Sequence, residues 1–163
     1  SAASTCRANA ASFDFVYSSL AIHYLKDWSK VFEGVYKVLK IKSYFLFSCA
    51  HPVRTAMVMI DNTDEKQVRR LEIIKFKQPK RLEITGDYLN RRKLVDGLGT
   101  LAMVTTWHKS IGEIIGEANQ AGFVVEKFVE PRPLETMKKI SKRDYEKLNK
   151  IPEFMIFKLL KLK

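Results

Sequence analysis

The sequence predicts an α/β fold whose parallel sheet is interrupted by an antiparallel insertion. Two strand-length apolar runs flank an amphipathic helix between residues 13 and 53, and a helix-strand rhythm returns after residue 106. Between these parts, apolar and charged residues partly alternate, which is typical of strands with one wet face. Because a strand, a helix and a strand form a right-handed βαβ unit, the first two strands are expected to be parallel.

The βαβ unit is assigned to residues 13–53, after a small and polar lead-in at residues 1–12. Its first strand, Phe13–Tyr17, is apolar almost throughout, so we expect it to be covered on both faces. Asp27 can cap the helix that follows, and the second strand is Tyr44–Cys49. The apolar helix positions recur at three-and-four spacing: Trp28, Val31, Phe32, Val35 and Leu39.

The rest of the chain is divided into an insertion at 54–106 and a terminal α/β part at 107–163. In the insertion, strands are expected on both sides of Gln78-Pro79-Lys80, with a polar turn at Asp61–Glu65 and a further strand at Thr100–Trp107. In the terminal part, Ser110 and Glu113 form a capping box and Gly122 ends the helix. A strand at Phe123–Val129, a second capping pair at Ser141 and Asp144 and a last strand at Phe154–Leu160 complete it.

Composition excludes several classes of protein. The 163 residues are 46% hydrophobic, which suits one domain with a core rather than a disordered chain, and no apolar run reaches the roughly 20 residues of a membrane span. Cys6 and Cys49 form neither a disulfide framework nor a zinc spacing, so a cytoplasmic, reducing compartment is expected. The net charge of +11 is dispersed along the chain, which favours a solvated basic surface over a nucleic-acid footprint.

Three stretches in the βαβ unit together resemble one family. They are Phe13–Tyr24, the helix ending at Val35–Lys40, and the strand Phe45–Ser48 followed by His51-Pro52. They resemble the fourth strand, following helix and fifth strand of class I S-adenosylmethionine-dependent methyltransferases, in the branch that acts on small molecules. The match covers about residues 13–55 and 104–160, where 118–131 resembles a later helix and the sixth strand, and 154–157 the terminal antiparallel strand. The resemblance implies a partial Rossmann-like sheet with that antiparallel strand.

The chain departs from the family pattern in two places. Members usually enter the fifth strand through a Lys-Pro-Gly-Gly type stretch, whereas Lys40–Ser43 contains no glycine. Members also open with a glycine-rich turn and an acidic residue that hold the cofactor, and nothing before Phe13 supplies either. We therefore expect residues 1–163 to form a single incomplete methyltransferase-like domain, a fragment without the cofactor-binding front half.

The resemblance implies S-adenosylmethionine as the cofactor. It places Ser18, Ser19 and Leu20 beside the methionine and sulfonium region of that cofactor, although serines also end strands for local reasons. The insertion at 54–106 is expected to form a cap over the acceptor.

The three histidines follow or precede elements of the predicted sheet and are candidate catalytic bases. His23 and His51 come after its two parallel strands, and His108 precedes the helix capped by Ser110. Residues expected to contact the methyl acceptor are His51, Pro52, Trp107 and His108. Structural roles stay open for the histidines and for Trp107. His23 could pack in the core, His51 could form a turn, His108 could lie on a wet sheet face and Trp107 could be core. The spacing of the histidines predicts no metal site.

The function expected from this is methyl transfer to a small organic acceptor, by an enzyme whose activity in this truncated form is in doubt. The first alternative is a non-catalytic fragment that acts as a homodimer or interaction module through the unpaired strand at 13–18. A basic nucleic-acid-binding domain is ranked below both, and no membrane partner is expected.

Overall fold

A computed structural model describes residues 10–61, 67–98 and 102–163. The strands are β1 (Phe13–Ser19), β2 (Leu39–Ala50), β3 (Val58–Asp61), β4 (Gln67–Arg70), β5 (Glu72–Phe76), β6 (Arg81–Thr85), β7 (Arg92–Leu98), β8 (Ala102–His108), β9 (Phe123–Val129) and β10 (Phe154–Lys161). The helices are α1 (Trp28–Val38), α2 (Pro52–Ala56), α3 (Ile111–Gln120), α4 (Met137–Ile140) and α5 (Lys142–Leu148), with a short 3₁₀ helix at Ile22–Tyr24.

The chain divides into two compact units. The sheet unit comprises Ser1–Cys49, Gly112–Val129 and Ile156–Lys163, and the hairpin unit comprises Ala50–Ile111 and Glu130–Met155.

One four-stranded sheet has the order β1-β2-β10-β9. β1 and β2 are parallel, and β10 is antiparallel to β9. The predicted parallel pair and the predicted terminal antiparallel strand are both confirmed. β10 therefore lies between β2 and β9 although it is last in the sequence.

Helix α1 covers one face of this sheet because its apolar stripe meets phenylalanines of β2. The Asp27 side chain caps the helix by accepting from the Lys30 amide over 3.3 Å, as predicted. Trp28 and Phe32 are fully buried, and the ring of Phe32 lies 5.7 Å from that of Phe47. Burying an aromatic side chain of this size contributes about 2–3 kcal/mol, so these contacts carry much of the core.

The end of α1 differs from the prediction. Leu39, which was expected on the apolar face of the helix, is the first residue of β2, so the strand starts without a connecting loop. The buried ammonium of Lys161 donates to the carbonyls of Tyr36 (2.7 Å) and Leu39 (2.8 Å). A cation therefore satisfies carbonyls at the helix end, where the helix dipole favours positive charge.

The stretch Lys40–Ser43, which contains no glycine, forms an irregularity in β2. Phe13 pairs with Leu39 but Phe15 pairs with Tyr44, so several residues of β2 fall between the two pairs. Lys42 within this segment has a φ of +61°, in the left-handed region that glycine adopts easily. The strand is thus irregular at a left-handed residue there, although the sequence supplies a lysine.

Strand β1 is more exposed than predicted. Phe13, Phe15 and Tyr17 are 44%, 53% and 59% exposed, so the expectation of a strand covered on both faces was wrong. β1 stands at the end of the strand order among the described residues, and their side chains do not cover this face. An apolar run alone could not show this, because burial depends on what packs against the strand.

In the hairpin unit, three two-stranded antiparallel pairs follow one another: β3 with β4, β5 with β6, and β7 with β8. The predicted antiparallel insertion is confirmed, including the turn between β5 and β6 at Gln78-Pro79-Lys80. Ser141 also caps α5 as predicted, accepting from the Asp144 amide over 3.2 Å. The polar turn predicted at Asp61–Glu65 lies mostly outside the described residues.

None of the helices in the described ranges combines the length and apolar character that crossing a bilayer requires.

Candidate functional site

The three residues assigned to cofactor binding lie together at the carboxyl end of β1, in the sheet unit. Ser18 pairs with Phe47 and Ser19 with Ser48 of the neighbouring strand. The Leu20 amide donates to both the carbonyl (3.0 Å) and the hydroxyl oxygen (3.1 Å) of Ser48. These bonds hold the strand end in place.

Leu20 has a φ of +49°, which is unusual for a residue with a side chain. The conformation costs about 1–2 kcal/mol, so the surrounding bonds must determine it. The side chain is 39% exposed, and Ser19 beside it is also exposed. The strand therefore ends in a strained corner that presents a leucine side chain and a serine hydroxyl at the surface of the sheet unit.

His23 also belongs to the sheet unit. It lies in the 3₁₀ helix, is 8% exposed, and its ring centroid is 4.5 Å from that of Tyr24. The burial of His23 is compatible with both the packing role and the catalytic role considered for it.

His51 begins helix α2 in the hairpin unit. Its Nδ1 accepts from the Val53 amide over 3.1 Å, and its Nε2 lies 2.8 Å from Oε1 of Glu130. Since Nδ1 is an acceptor, the proton is on Nε2 and is donated to the carboxylate. Burial lowers the pKa of His51 below 6.5, although the hydrogen bond and the charge of Glu130 act in the opposite direction. His51 is therefore neutral at pH 7 with a fixed tautomer.

His108 ends β8 and is fully buried. Its Nε2 is 2.9 Å from the Tyr88 carbonyl, which can only accept, so Nε2 carries a proton. In the neutral ring, Nδ1 then accepts from the Thr55 hydroxyl over 2.6 Å. The hydroxyl of Thr55 is therefore directed at the imidazole.

Helix α2 connects the two histidines of the hairpin unit. His51 is its N-cap, the buried Pro52 is at its first turn, and Thr55 in the same helix contacts His108. Trp107 precedes His108 on β8, pairs with Lys93 and is half-buried. His51, Pro52 and His108 thus cap α2, belong to it or contact it. The fourth predicted acceptor residue, Trp107, is next to His108 in the sequence.

Three residues of this arrangement were missed at the level of sequence. Thr55 contacts His108, Glu130 contacts His51, and the guanidinium of Arg92 donates to the carbonyls of Thr55 (2.6 Å) and Met57 (3.3 Å). A proline directly after His51 is a helix-start signal that could have located α2 and with it Thr55. Glu130 had no local signal, because it lies 79 residues from its partner.

Among the residues that the structure describes, no group of three or more His, Cys, Asp or Glu side chains is arranged to hold a metal ion.

Comparisons with known proteins give matches to methyltransferases in sequence and in structure. The sequence model of the methyltransferase domain family matches residues 2–47. An S-adenosylmethionine-dependent methyltransferase structure from Mesorhizobium loti has a TM-score of 0.66 at 23% identity, over 92% of this chain and 63% of its own. One from Listeria monocytogenes, named for the same activity, has a TM-score of 0.70 at 22% identity, over 96% and 64%. No curated protein sequence matches the chain.

The predicted resemblance to class I S-adenosylmethionine-dependent methyltransferases, and the predicted α/β fold class, are confirmed by these matches. At these identities the solved structures establish the fold. This chain spans slightly less than two thirds of their length.

Proposed function

We propose that this chain is the substrate-side part of an S-adenosylmethionine-dependent methyltransferase that acts on a small organic acceptor. The observation that carries the proposal is the sheet order β1-β2-β10-β9 with an antiparallel last strand, in a fold shared with solved methyltransferases. The match of residues 2–47 to the methyltransferase domain family supports the same assignment.

The corner at Ser18, Ser19 and Leu20 fits one end of S-adenosylmethionine. A serine hydroxyl can bond the polar amino-acid end of the cofactor, and the exposed Leu20 side chain can contact its carbon chain. The strained φ of Leu20 supports a functional corner, because strain of this kind is concentrated at binding sites. When bound, the cofactor supplies a methyl group on a sulfonium, so the protein must mainly align the acceptor.

Among the three candidate catalytic histidines, His108 and His23 are proposed to take the proton of the acceptor, whereas His51 has a structural role. For His51 and His108, both ring nitrogens have partners, so a new proton must displace one of them. Nδ1 of His108 is the exception, because its partner is the Thr55 hydroxyl, which can release its proton to the ring, whereas the Val53 amide on His51 cannot. Thr55 can pass its proton to His108 as it takes one from the acceptor. His51 then acts by holding the start of α2, and His23 is the candidate in the sheet unit.

The acceptor itself is proposed to contact His51, Pro52, Trp107 and His108, with the insertion at 54–106 as its cap. The hydrogen bonds of Arg92 to the carbonyls of Thr55 and Met57 support this assignment, since they fix the helix that bears the first two residues. A rigid binding surface holds the acceptor in one orientation, so misalignment slows the methyl transfer less.

The test is binding of radiolabelled S-adenosylmethionine to the chain by equilibrium dialysis. Ser19→Trp fills the corner and should abolish binding, whereas Ser12→Trp, just before the opposite end of β1, should leave it unchanged. No binding of the unaltered chain at millimolar cofactor contradicts the proposed function for this chain. An equal loss in both variants contradicts the placement of the cofactor at the corner.

A second candidate function is a homodimer or interaction module through β1. It is favoured by the exposure of Phe13, Phe15 and Tyr17 on a strand at the end of the described sheet, since such an edge can pair with another chain. Sedimentation of the chain should then show a dimer that Phe15→Lys dissociates. Leu134→Lys, at a side chain that is 76% exposed elsewhere, is the matched control. A monomer at all concentrations rejects the homodimer.

A further inference from the structure

A cleft of about 420 Å³ in the hairpin unit has an unusual charge balance. Its polar lining side chains are Arg54, Arg69, Lys147 and Glu153, so three cations face one carboxylate. Its other lining residues are Met57 and Ile151, which are apolar. The cleft therefore combines an excess of positive charge with a surface suited to a carbon skeleton.

One carboxylate oxygen already lies between two of the cations. Oε1 of Glu153 is 4.0 Å from Nε of Arg54 and is also hydrogen-bonded to Nζ of Lys147. The Glu153 side chain is 22% exposed, and its backbone carbonyl accepts from the His51 amide over 2.9 Å. The main chain thus fixes this acid in the cleft, and its contacts show where an anion is stabilised.

Arg54 has capacity for a second anion. A guanidinium carries five N–H donors, and the 4.0 Å separation between Arg54 and Glu153 exceeds hydrogen-bond length. Arg54 can therefore still make a two-pronged contact with a carboxylate or a phosphate. Arg69, on β4 opposite Met59, contributes a further positive charge from an exposed position.

We propose that this cleft binds an anionic group, a carboxylate or a phosphate, on the methyl acceptor. This rests on the proposed function and narrows its substrate class to organic anions. Arg54 belongs to the helix that His51 caps and whose Thr55 contacts His108. An anion held by Arg54 is therefore anchored on the element that bears the proposed proton-handling groups.

The experiment measures binding to the cofactor-free chain at low salt by calorimetry. The probes are 4-hydroxybenzoate, phenyl phosphate and 4-hydroxybenzamide, which is the neutral counterpart of the first. At least one anion should bind ten-fold or more tightly than the amide, since a charge-assisted contact is lost in the amide. The ratio of the dissociation constants of 4-hydroxybenzoate and phenyl phosphate shows whether the cleft prefers a carboxylate or a phosphate.

Three variants locate the site. Arg54→Gln should weaken anion binding about ten-fold, and thermal unfolding checks that this variant is folded. Glu153→Gln should tighten anion binding several-fold, because it removes the competing carboxylate, and unfolding could not produce a tightening. Arg143→Gln is the control, since this arginine lies on the same helix as Lys147 with a side chain that is 91% exposed.

Equal binding of amide and anions overturns the proposal, as does an equal loss in Arg54→Gln and Arg143→Gln, which indicates diffuse charge attraction. A loss of affinity in Glu153→Gln also overturns it. Because no cofactor is present, these outcomes are separate from the dialysis test of the proposed function. Failure of cofactor binding with intact anion selectivity contradicts the proposed function for this chain and leaves the anion cleft.

Discussion

Nε2 of His51 donates to Oε1 of Glu130 over 2.8 Å, while Nδ1 of the same ring caps α2. The imidazole thus connects the first turn of α2 to Glu130, which is 79 positions away in the sequence. A cap of this kind depends on the neutral ring, because a proton on Nδ1 would remove the acceptor for the Val53 amide. The protonation state of His51 should therefore control the stability of α2.

We predict that the chain loses stability on acidification through His51. Its pKa is below 6.5 in the folded protein because burial disfavours the charged ring, so the unfolded chain binds the proton more readily. The contribution is complete above pH 6.5 and is lost as the pH falls through the folded pKa. His51→Asn keeps a side chain that caps helices but does not titrate, so its melting temperature should fall less between pH 7.5 and pH 5.

The variant Glu130→Gln distinguishes the effect of the Glu130 charge on His51 from the effect of the hydrogen bond between the two side chains. The amide oxygen can still accept from Nε2, but the negative charge that raises the pKa of His51 is gone. The His51 pKa should therefore fall further, as followed by the ring proton shifts in an NMR titration. A His51 pKa above 6.5 in the unaltered chain would disagree with both predictions.

Short sequence patterns predicted the parts of the fold that interactions between neighbouring residues determine. Asp27 caps α1 and Gly122 ends α3 because the cap bond and the left-handed backbone involve only neighbouring residues. The exposure of Phe15 could not be read from an apolar run, since it depends on which strand is last in the sheet. The pairing of Glu130 with His51 is equally non-local, and only the three-dimensional fold brings these residues together.

We predict that Cys49 is inert in the folded chain. It is fully buried in β2, and burial raises the pKa of its thiol to about 12, so almost no thiolate forms at pH 8. In a Cys6→Ser background, which leaves one thiol, Ellman's reagent should not react with the native protein on the time scale of a surface cysteine. It should react with one equivalent in guanidinium chloride. Rapid reaction without denaturant would show that β2 opens readily.

We predict that Gly122→Ala destabilises the sheet unit by about 3 kcal/mol. The φ of Gly122 is +100°, and an added Cβ would lie 2.8–3.0 Å from the ring and hydroxyl atoms of Tyr36, so backbone strain and overpacking add. Gly116→Ala is the matched control in α3, where a Cβ meets nothing within 4 Å. That variant should gain about 0.5–1 kcal/mol from helix propensity. Equal effects in urea unfolding would disprove the steric argument.

We predict that introducing a glycine, by Lys42→Gly, stabilises the chain. The φ of +61° at this position costs a lysine about 1–2 kcal/mol, whereas glycine adopts this conformation freely and loses about 0.5–1 kcal/mol through its more flexible unfolded state. Lys42→Gly should therefore raise the free energy of unfolding by about 0.5–1 kcal/mol, measured in urea. Lys37→Gly, in the last turn of α1, should lower it by up to about 1 kcal/mol. A loss in both variants would mean that the exposed Lys42 side chain contributes more than the strain of its backbone costs.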